Sequence, residues 1–222
     1  MKDILKEAVK KGRKSLSEYD SKKVIQHAGV QITREELAAS SDEAVKIAGK
    51  IGYPVVLKGS GHKATHKTEM GIVKLRLNND KDVADAFDEI MGKGVELDGV
   101  LVQEMINGQR EFVIGLTRDP QFGPCVMFGL GGIFTEVLKD VSFRVAPITD
   151  FDAEEMISEI KTSKLLDEFR GSPAVDRNAL KKALIGIGNL GVEHDEIAEI
   201  DINPLIISGN QPVAVDALVV LK

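Results

Sequence analysis

Tyr53-Pro-Val-Val-Leu-Lys-Gly-Ser-Gly-His-Lys-Ala-Thr-His-Lys-Thr-Glu-Met-Gly71 is the stretch around which the rest of the chain is organised. It reads as a strand that releases a loop. From Pro54 to Lys58 the side chains alternate, with Val55 and Leu57 on one face and Val56 and Lys58 on the other. The loop then carries His62, Lys63, His66 and Lys67 among small residues. A lysine at the end of an apolar strand can act as a point charge on phosphate, and Gly59 lets a phosphate approach the backbone. A neutral imidazole can attack phosphorus. Chemistry alone does not choose between His62 and His66, and a solvated loop histidine is the ordinary alternative.

Working outward, residues 2–14 read as a helix, a second helix opens at Ser17-Glu-Tyr-Asp20, and Gly29 ends it. Val30–Thr33 reads as a short strand. Ser40-Ser-Asp-Glu43 caps a helix running to Lys50, and Asn78-Asn-Asp80 caps another over 81–91. Between them residues 71–77 form the returning strand. Strands then dominate: Gly99–Met105, Glu111–Thr117, Gly123–Phe128, Ile133–Leu138 and Phe143–Ala146. Helices return at 152–168 and 176–190. A closing hairpin, Glu199–Ile207 with Gln211–Leu221, turns at Ser208-Gly-Asn210. The mixture is α+β.

The 222 residues carry 35 acidic and 29 basic side chains, a net charge of −6. No basic surplus exists to neutralise phosphodiesters, which argues against nucleic acid as the main partner. No apolar run reaches membrane-spanning length. One cysteine, Cys125, excludes an internal disulfide, and the chain reads as cytoplasmic.

Two further clusters follow from strand pairing. Centring the closing turn on Gly209-Asn210 sets Ile207 against Pro212 and Asn203 against Asp216, with Asp201 on the same face. Two carboxylates and an amide oxygen of this kind suit Mg²⁺. Asn107-Gly108 is a two-residue hairpin signal that would set Glu104 directly against Glu111. Opposed like charges destabilise a sheet, a cost easier to understand if both accept hydrogen bonds from a ligand.

Together these motifs resemble the ATP-grasp superfamily: a lysine strand, a glycine loop, hinge-like Val102-Gln-Glu-Met-Ile106, Arg110-Glu-Phe-Val-Ile-Gly115, and an acidic-x-Asn near the end. More narrowly, the chain resembles the β subunits of ADP-forming acetyl-CoA synthetases (ADP-forming acetate–CoA ligases). The residues that carry this are His66-Lys-Thr-Glu-Met-Gly71, Gly129-Leu-Gly-Gly-Ile-Phe-Thr-Glu-Val-Leu-Lys-Asp-Val-Ser-Phe-Arg144 and Glu199-Ile-Asp-Ile-Asn-Pro-Leu205. The match runs from about residue 17 onward.

The resemblance implies an α+β ATP-grasp fold of two α+β subdomains with the nucleotide between them. Residues 1–16 would be an N-terminal helix and 17–222 the ATP-grasp domain, with a first subdomain over about 25–98 and a second over about 99–222. It implies a reversible reaction, acetyl-CoA plus ADP and phosphate giving acetate, CoA and ATP. A CoA-binding α subunit carries the first phosphohistidine, in an α2β2 assembly, and the β subunit binds ADP or ATP with Mg²⁺. Carried over by motif, His66 rather than His62 relays the phosphoryl group and Lys58 contacts nucleotide phosphates. Gln103, Glu104 and Met105 serve adenine, and Glu111 takes ribose. Asn203 and Asp216 hold Mg²⁺, with Asp201 beside them, and Glu136 and Arg144 have active-site roles. Where the family usually has two glycines this chain has Met70 and Gly71, and Met70 restricts the backbone more than glycine. The competing enzyme class is a stand-alone ATP-grasp carboxylate–amine ligase.

Overall fold

Apolar side chains spaced three and four apart decide which helix faces are buried. In α3 (Ser41–Ile51) these are Ala44, Ile47 and Ala48, and in α4 (Asp80–Met91) they are Val83, Ala86, Phe87 and Ile90. The Ser40 hydroxyl accepts from the Glu43 N–H, and Asn79 caps α4 by accepting from the Asp82 N–H at 3.0 Å. The computed structural model describes residues 1–61, 70–132, 139–168 and 171–222. His66 and Glu136, and the expected strand over 133–138, lie outside the described residues.

The chain forms two units. One comprises Ser15–Tyr19 and Thr33–Ile106. Its strands are β1 (Glu35–Ala38), β2 (Val55–Ser60), β3 (Val73–Leu77) and β4 (Gly99–Glu104), in the order β1-β4-β2-β3, all antiparallel. Val55, Leu57, Val100 and Val102 form its core with the buried residues of α3 and α4. Strand parity therefore sends Val56, Lys58 and Ser60 to the opposite face. A Cβ on Gly61 would stand 2.8 Å from the Glu96 carbonyl oxygen, so a glycine is needed where β2 leaves the sheet.

The other unit comprises Met1–Lys14, Asp20–Ile32 and Asn107–Lys222. Its strands are β5 (Glu111–Asp119), β6 (Gly123–Leu130), β7 (Val141–Val145), β8 (Ile197–Ser208), β9 (Gln211–Ala214) and β10 (Leu218–Leu221). The order is β10-β8-β5-β6-β7, with β9 also on β8. Helices α5 (Asp150–Glu159) and α6 (Arg177–Glu193) cover one face. There Phe112 and Phe128 are fully buried, their rings stacked at 5.5 Å. Burying each such side chain stabilises the fold by about 1.5–3 kcal/mol. A Cβ on Gly191 of α6 would fall 2.4 Å from Leu116 Cδ1, so glycine sets how closely the helix sits on β5. The part of α2 (Glu18–His27) that belongs to this unit, from Asp20 on, buries Val24 and Ile25, and the Ser21 hydroxyl accepts from the Val219 N–H at 3.1 Å. Helix α1 (Lys2–Lys10) buries Leu5 and Ala8.

Several expectations are corrected. The first strand is Glu35–Ala38, not Val30–Thr33, and Ile32 makes only an isolated bridge to Ala214. Helix α1 stops at Lys10. The helix expected over 152–168 is α5 alone, begun by a Thr149–Asp152 capping box, followed by a separate 3-10 turn at Ser163–Leu166. The division between units falls at Ile106–Asn107 rather than 98–99, because β4 is an inner strand paired to both β1 and β2. Residues 1–14 belong to the unit containing β5–β10 rather than standing apart.

Asn107-Gly108 is not a hairpin turn. Glu104 ends a strand of one sheet, and Glu111 opens a strand of the other, opposite Ile206. A two-residue type I′ turn needs positive φ at both central residues, and neither Asn107 nor Gly108 has it. Gly108 instead approaches β8, where a Cβ would fall 2.4 Å from Ile206 Cγ2.

Candidate functional site

In the unit built on Thr33–Ile106, Lys58 lies on the sheet face away from the helical core, beside Val73 and Leu101 in register. Its side chain is 7% exposed, and its Nζ donates to Glu18 Oε1 at 2.7 Å. Glu18 is the first residue of α2, its side chain 2% exposed. Ser60, two residues on and on the same face, is buried, and its hydroxyl has no hydrogen-bond partner among the described residues. Gln103, opposite Val56, is buried. Met105 follows β4, and its N–H donates to the Pro54 carbonyl at 3.4 Å. Glu104 is clasped by one residue: its Oε1 accepts from the Arg34 N–H and its Oε2 from Arg34 Nε, both at 2.7 Å. The Glu104 N–H returns a bond to the Arg34 carbonyl at 2.9 Å. Glu18, Ser60 and Arg34 were not singled out by sequence reasoning. No local signal announces them, since Glu18–Lys58 and Arg34–Glu104 are 40 and 70 residues apart.

In the other unit the closing register matches the expected one: Ile207 faces Pro212 and Leu205 faces Ala214. Further along the same edge Leu218 faces Asp201. Asp216 therefore falls opposite Asn203, inside the break between β9 and β10. Strand β8 bulges at the same place: Ile202 faces Ile114 and Leu205 faces Phe112, so β8 carries one extra residue there. A bulge of this kind re-aims side chains. Asp201 sits between Gly115 and Leu218 in register. Burial first, then the charges of Glu199 and Asp216, push its carboxyl up to about 6. Among the described residues no group of three or more His, Cys, Asp or Glu is arranged to hold a metal. The residues that could serve a cation at this place are Asp201, Asp216 and the Asn203 amide, all oxygen donors. That fits Mg²⁺, which keeps several waters or phosphate oxygens in its shell.

Glu111 is placed by the glycine motif. The Gly131 N–H donates to its carbonyl at 2.8 Å. Gly132 has φ +70°, and a Cβ there would stand 2.6 Å from Glu111 Oε2. The glycines thus let the end of β6 close over Glu111 while leaving room for its carboxylate.

Arg144 is placed elsewhere. It faces Val126, in line with Leu116 and Ile200, on the helix-covered face. Asp201, Gly115, Met127 and Phe143 line up on the other. Both Arg144 terminal nitrogens bind Glu159 of α5, at 2.9 and 2.5 Å. That pairing holds the guanidinium above its usual range and the Glu159 carboxyl below its own. Arg144 and Asp201 therefore lie on opposite faces of this sheet.

An ATP-grasp domain model matches residues 7–221. The chain is 43% identical over 221 residues to the β subunit of ADP-forming acetate–CoA ligase I of Pyrococcus furiosus, covering 97% of this chain and 95% of that one. The chain belongs to the ATP-grasp family, among the β subunits of ADP-forming acetate–CoA ligases.

Solved members of this ligase family agree in fold. Acetyl-coenzyme A synthetase 1 of Ca. Korarchaeum cryptofilum, in complex with coenzyme A, Ca-AMPCP and HgCl+, is 47% identical, with TM-score 0.94 and 99% of each chain covered. A form with coenzyme A and Mg-AMPPCP, its phosphohistidine segment pointing towards the nucleotide site, is 46% identical, with TM-score 0.88 and the same coverage. Among single-chain relatives, 4-hydroxybutyrate–CoA ligase of Nitrosopumilus maritimus is 41% identical, and the match covers 30% of its length. These ligases are acid–thiol ligases and favour that reading over a stand-alone carboxylate–amine ligase.

Proposed function

We propose that the chain is the nucleotide-binding half of the ligase and that His66 relays the phosphoryl group between a partner's phosphohistidine and ADP. Lys58 takes the nucleotide phosphates, Glu111 the ribose hydroxyls, and Gln103, Glu104 and Met105 the adenine edge. Glu104 has lone pairs beyond those Arg34 uses. Asn203 and Asp216, with Asp201 beside them, would hold Mg²⁺, which supplies charge neutralisation at the phosphates. Glu136 belongs to the same proposed active site. The observation that carries the reading is the buried, ion-paired Lys58 on a sheet face with a buried hydroxyl that has no partner among the described residues, within a near full-length match to known β subunits.

In the relay the neutral His66 imidazole attacks the phosphorus, displaces the partner's imidazole and holds the phosphoryl group until an ADP oxygen displaces it in turn. Positioning and electrostatics do most of the catalytic work, as in phosphoryl transfer generally. The partner is a CoA-binding α subunit in an α2β2 heterotetramer, and the proposed location is the cytoplasm.

Co-purification with that α subunit, followed by CoA-dependent ATP formation, tests the reading. His66→Ala should abolish ATP formation and acid-labile labelling by labelled ATP while leaving ADP binding near that of the parent chain. Full activity in the variant would sink the relay.

A further inference from the structure

We propose that Glu18 is a positioning residue for Lys58: it holds the ammonium in place for a nucleotide phosphate. This rests on the reading of Lys58 as the phosphate-binding cation. Glu18 Oε1 and Lys58 Nζ meet at 2.7 Å, with side chains 2% and 7% exposed. The partners are 40 residues apart, and the carboxylate arrives on the five-residue segment Ser15–Tyr19, which joins the β1–β4 unit from outside its main span.

Three physical points favour a functional pair. A buried ion pair is weak evidence for stability, because the desolvation of both charges offsets their attraction and apolar residues of similar volume would serve as well. Lysine carries its charge on a flexible four-carbon stem, so a fixed carboxylate removes rotamers that would aim it elsewhere. Glu18 opens a ten-residue helix, where the positive end of the dipole favours a carboxylate. A separate observation points to a ligand on this face. The Ser60 hydroxyl, two residues beyond Lys58, is buried without a hydrogen-bond partner among the described residues, as a group awaiting an acceptor oxygen would be.

The test is Mg·ADP and adenosine binding by calorimetry to the whole chain, for the parent, Glu18→Gln, Glu18→Asp, Lys58→Ala and the Glu18→Gln/Lys58→Ala double variant. Glu18→Gln should weaken ADP about tenfold and leave adenosine unchanged. Glu18→Asp keeps the charge but retracts it, and should fall between, at about threefold; it carries the test if Glu18→Gln does not fold. In the Lys58→Ala background Glu18→Gln should cost nothing further, because its effect acts through the lysine. Unchanged or tighter ADP binding in the folded Glu18 variant overturns the proposal, as does an equal loss for adenosine or additivity in the double variant. If Lys58→Ala itself binds ADP normally, the reading of Lys58 falls and takes the proposal with it. If only the Glu18 variants are silent, the Lys58 reading stands alone.

Discussion

Replacing Gly132 by alanine should weaken nucleotide binding through Glu111, a residue it does not replace. Two costs can be worked from the structure. Gly132 has φ +70°, a conformation that costs an L-residue about 1–2 kcal/mol. For a chain of this size, that lowers the melting temperature by roughly 2–4 °C per kcal/mol. The new Cβ would also lie 2.6 Å from Glu111 Oε2, far inside van der Waals contact, so the carboxylate must swing away. If Glu111 accepts from ribose, the lost bond to a charged group is worth about 1.5–3 kcal/mol, at least a tenfold rise in Kd. Calorimetry with Mg·ADP and with 2′,3′-dideoxy-ADP separates the effects. The dideoxy analogue lacks the hydroxyls, so its affinity should hardly change. Equal losses for both nucleotides, or no loss for ADP, would refute the ribose role of Glu111.

Two further outcomes are expected. Between about pH 4 and 6 the Asp201 carboxyl, pushed up to about 6, holds its proton in the folded chain while the unfolded chain has released it. Stability therefore falls as pH rises from about 4 to 6, leaving a deficit of about 3 kcal/mol at neutral pH. Asp201→Asn should melt higher than the parent above that window and show no gain below it; an unchanged melting curve at neutral pH contradicts the burial argument. Arg144→Met should lose about 1 kcal/mol of stability in a salt-dependent way, since its partner Glu159 is half exposed. Its Mg·ADP affinity should equal the parent's, and a selective loss of ADP binding would restore the active-site role expected from the motif.

The closing hairpin was legible in the sequence because one short turn sets the register of everything beyond it. Ser208 faces Gln211 and Leu218 faces Asp201 on one continuous alignment. What the turn could not announce is that the returning strand breaks at Asp216 while β8 bulges opposite, since bulges arise from the contacts β8 makes with β5 on its other edge. Asn107-Gly108 was misread for a related reason. The dipeptide favours a tight turn, yet β4 has neighbours on both sides already and no edge to offer β5. The alternation of Val55, Val56, Leu57 and Lys58 placed the lysine on the correct face. Its carboxylate partner could not be read, because Glu18 looks like any other residue in the first turn of an amphipathic helix. Arg144 was expected in the active site from its motif alone; its position opposite Val126 and its bonds to Glu159 of α5 could not be read from that motif.

The tie between Ser21 and Val219 has a consequence for how this chain folds. The two residues are 198 apart in sequence, and Leu221 donates to the Lys14 carbonyl in the same neighbourhood. During synthesis the segments 1–14 and 20–32 emerge long before the β-strand they dock on exists. The β1–β4 unit can complete itself within the first hundred or so residues, while its companion waits for β10. Contacts of such long range slow folding, and they leave Leu5, Val24 and Ile25 uncovered in the meantime. A ribosome-stalled chain ending before residue 211 should therefore hold a folded β1–β4 unit beside an N-terminal segment open to proteases and chaperones, and release of the last strands should protect it.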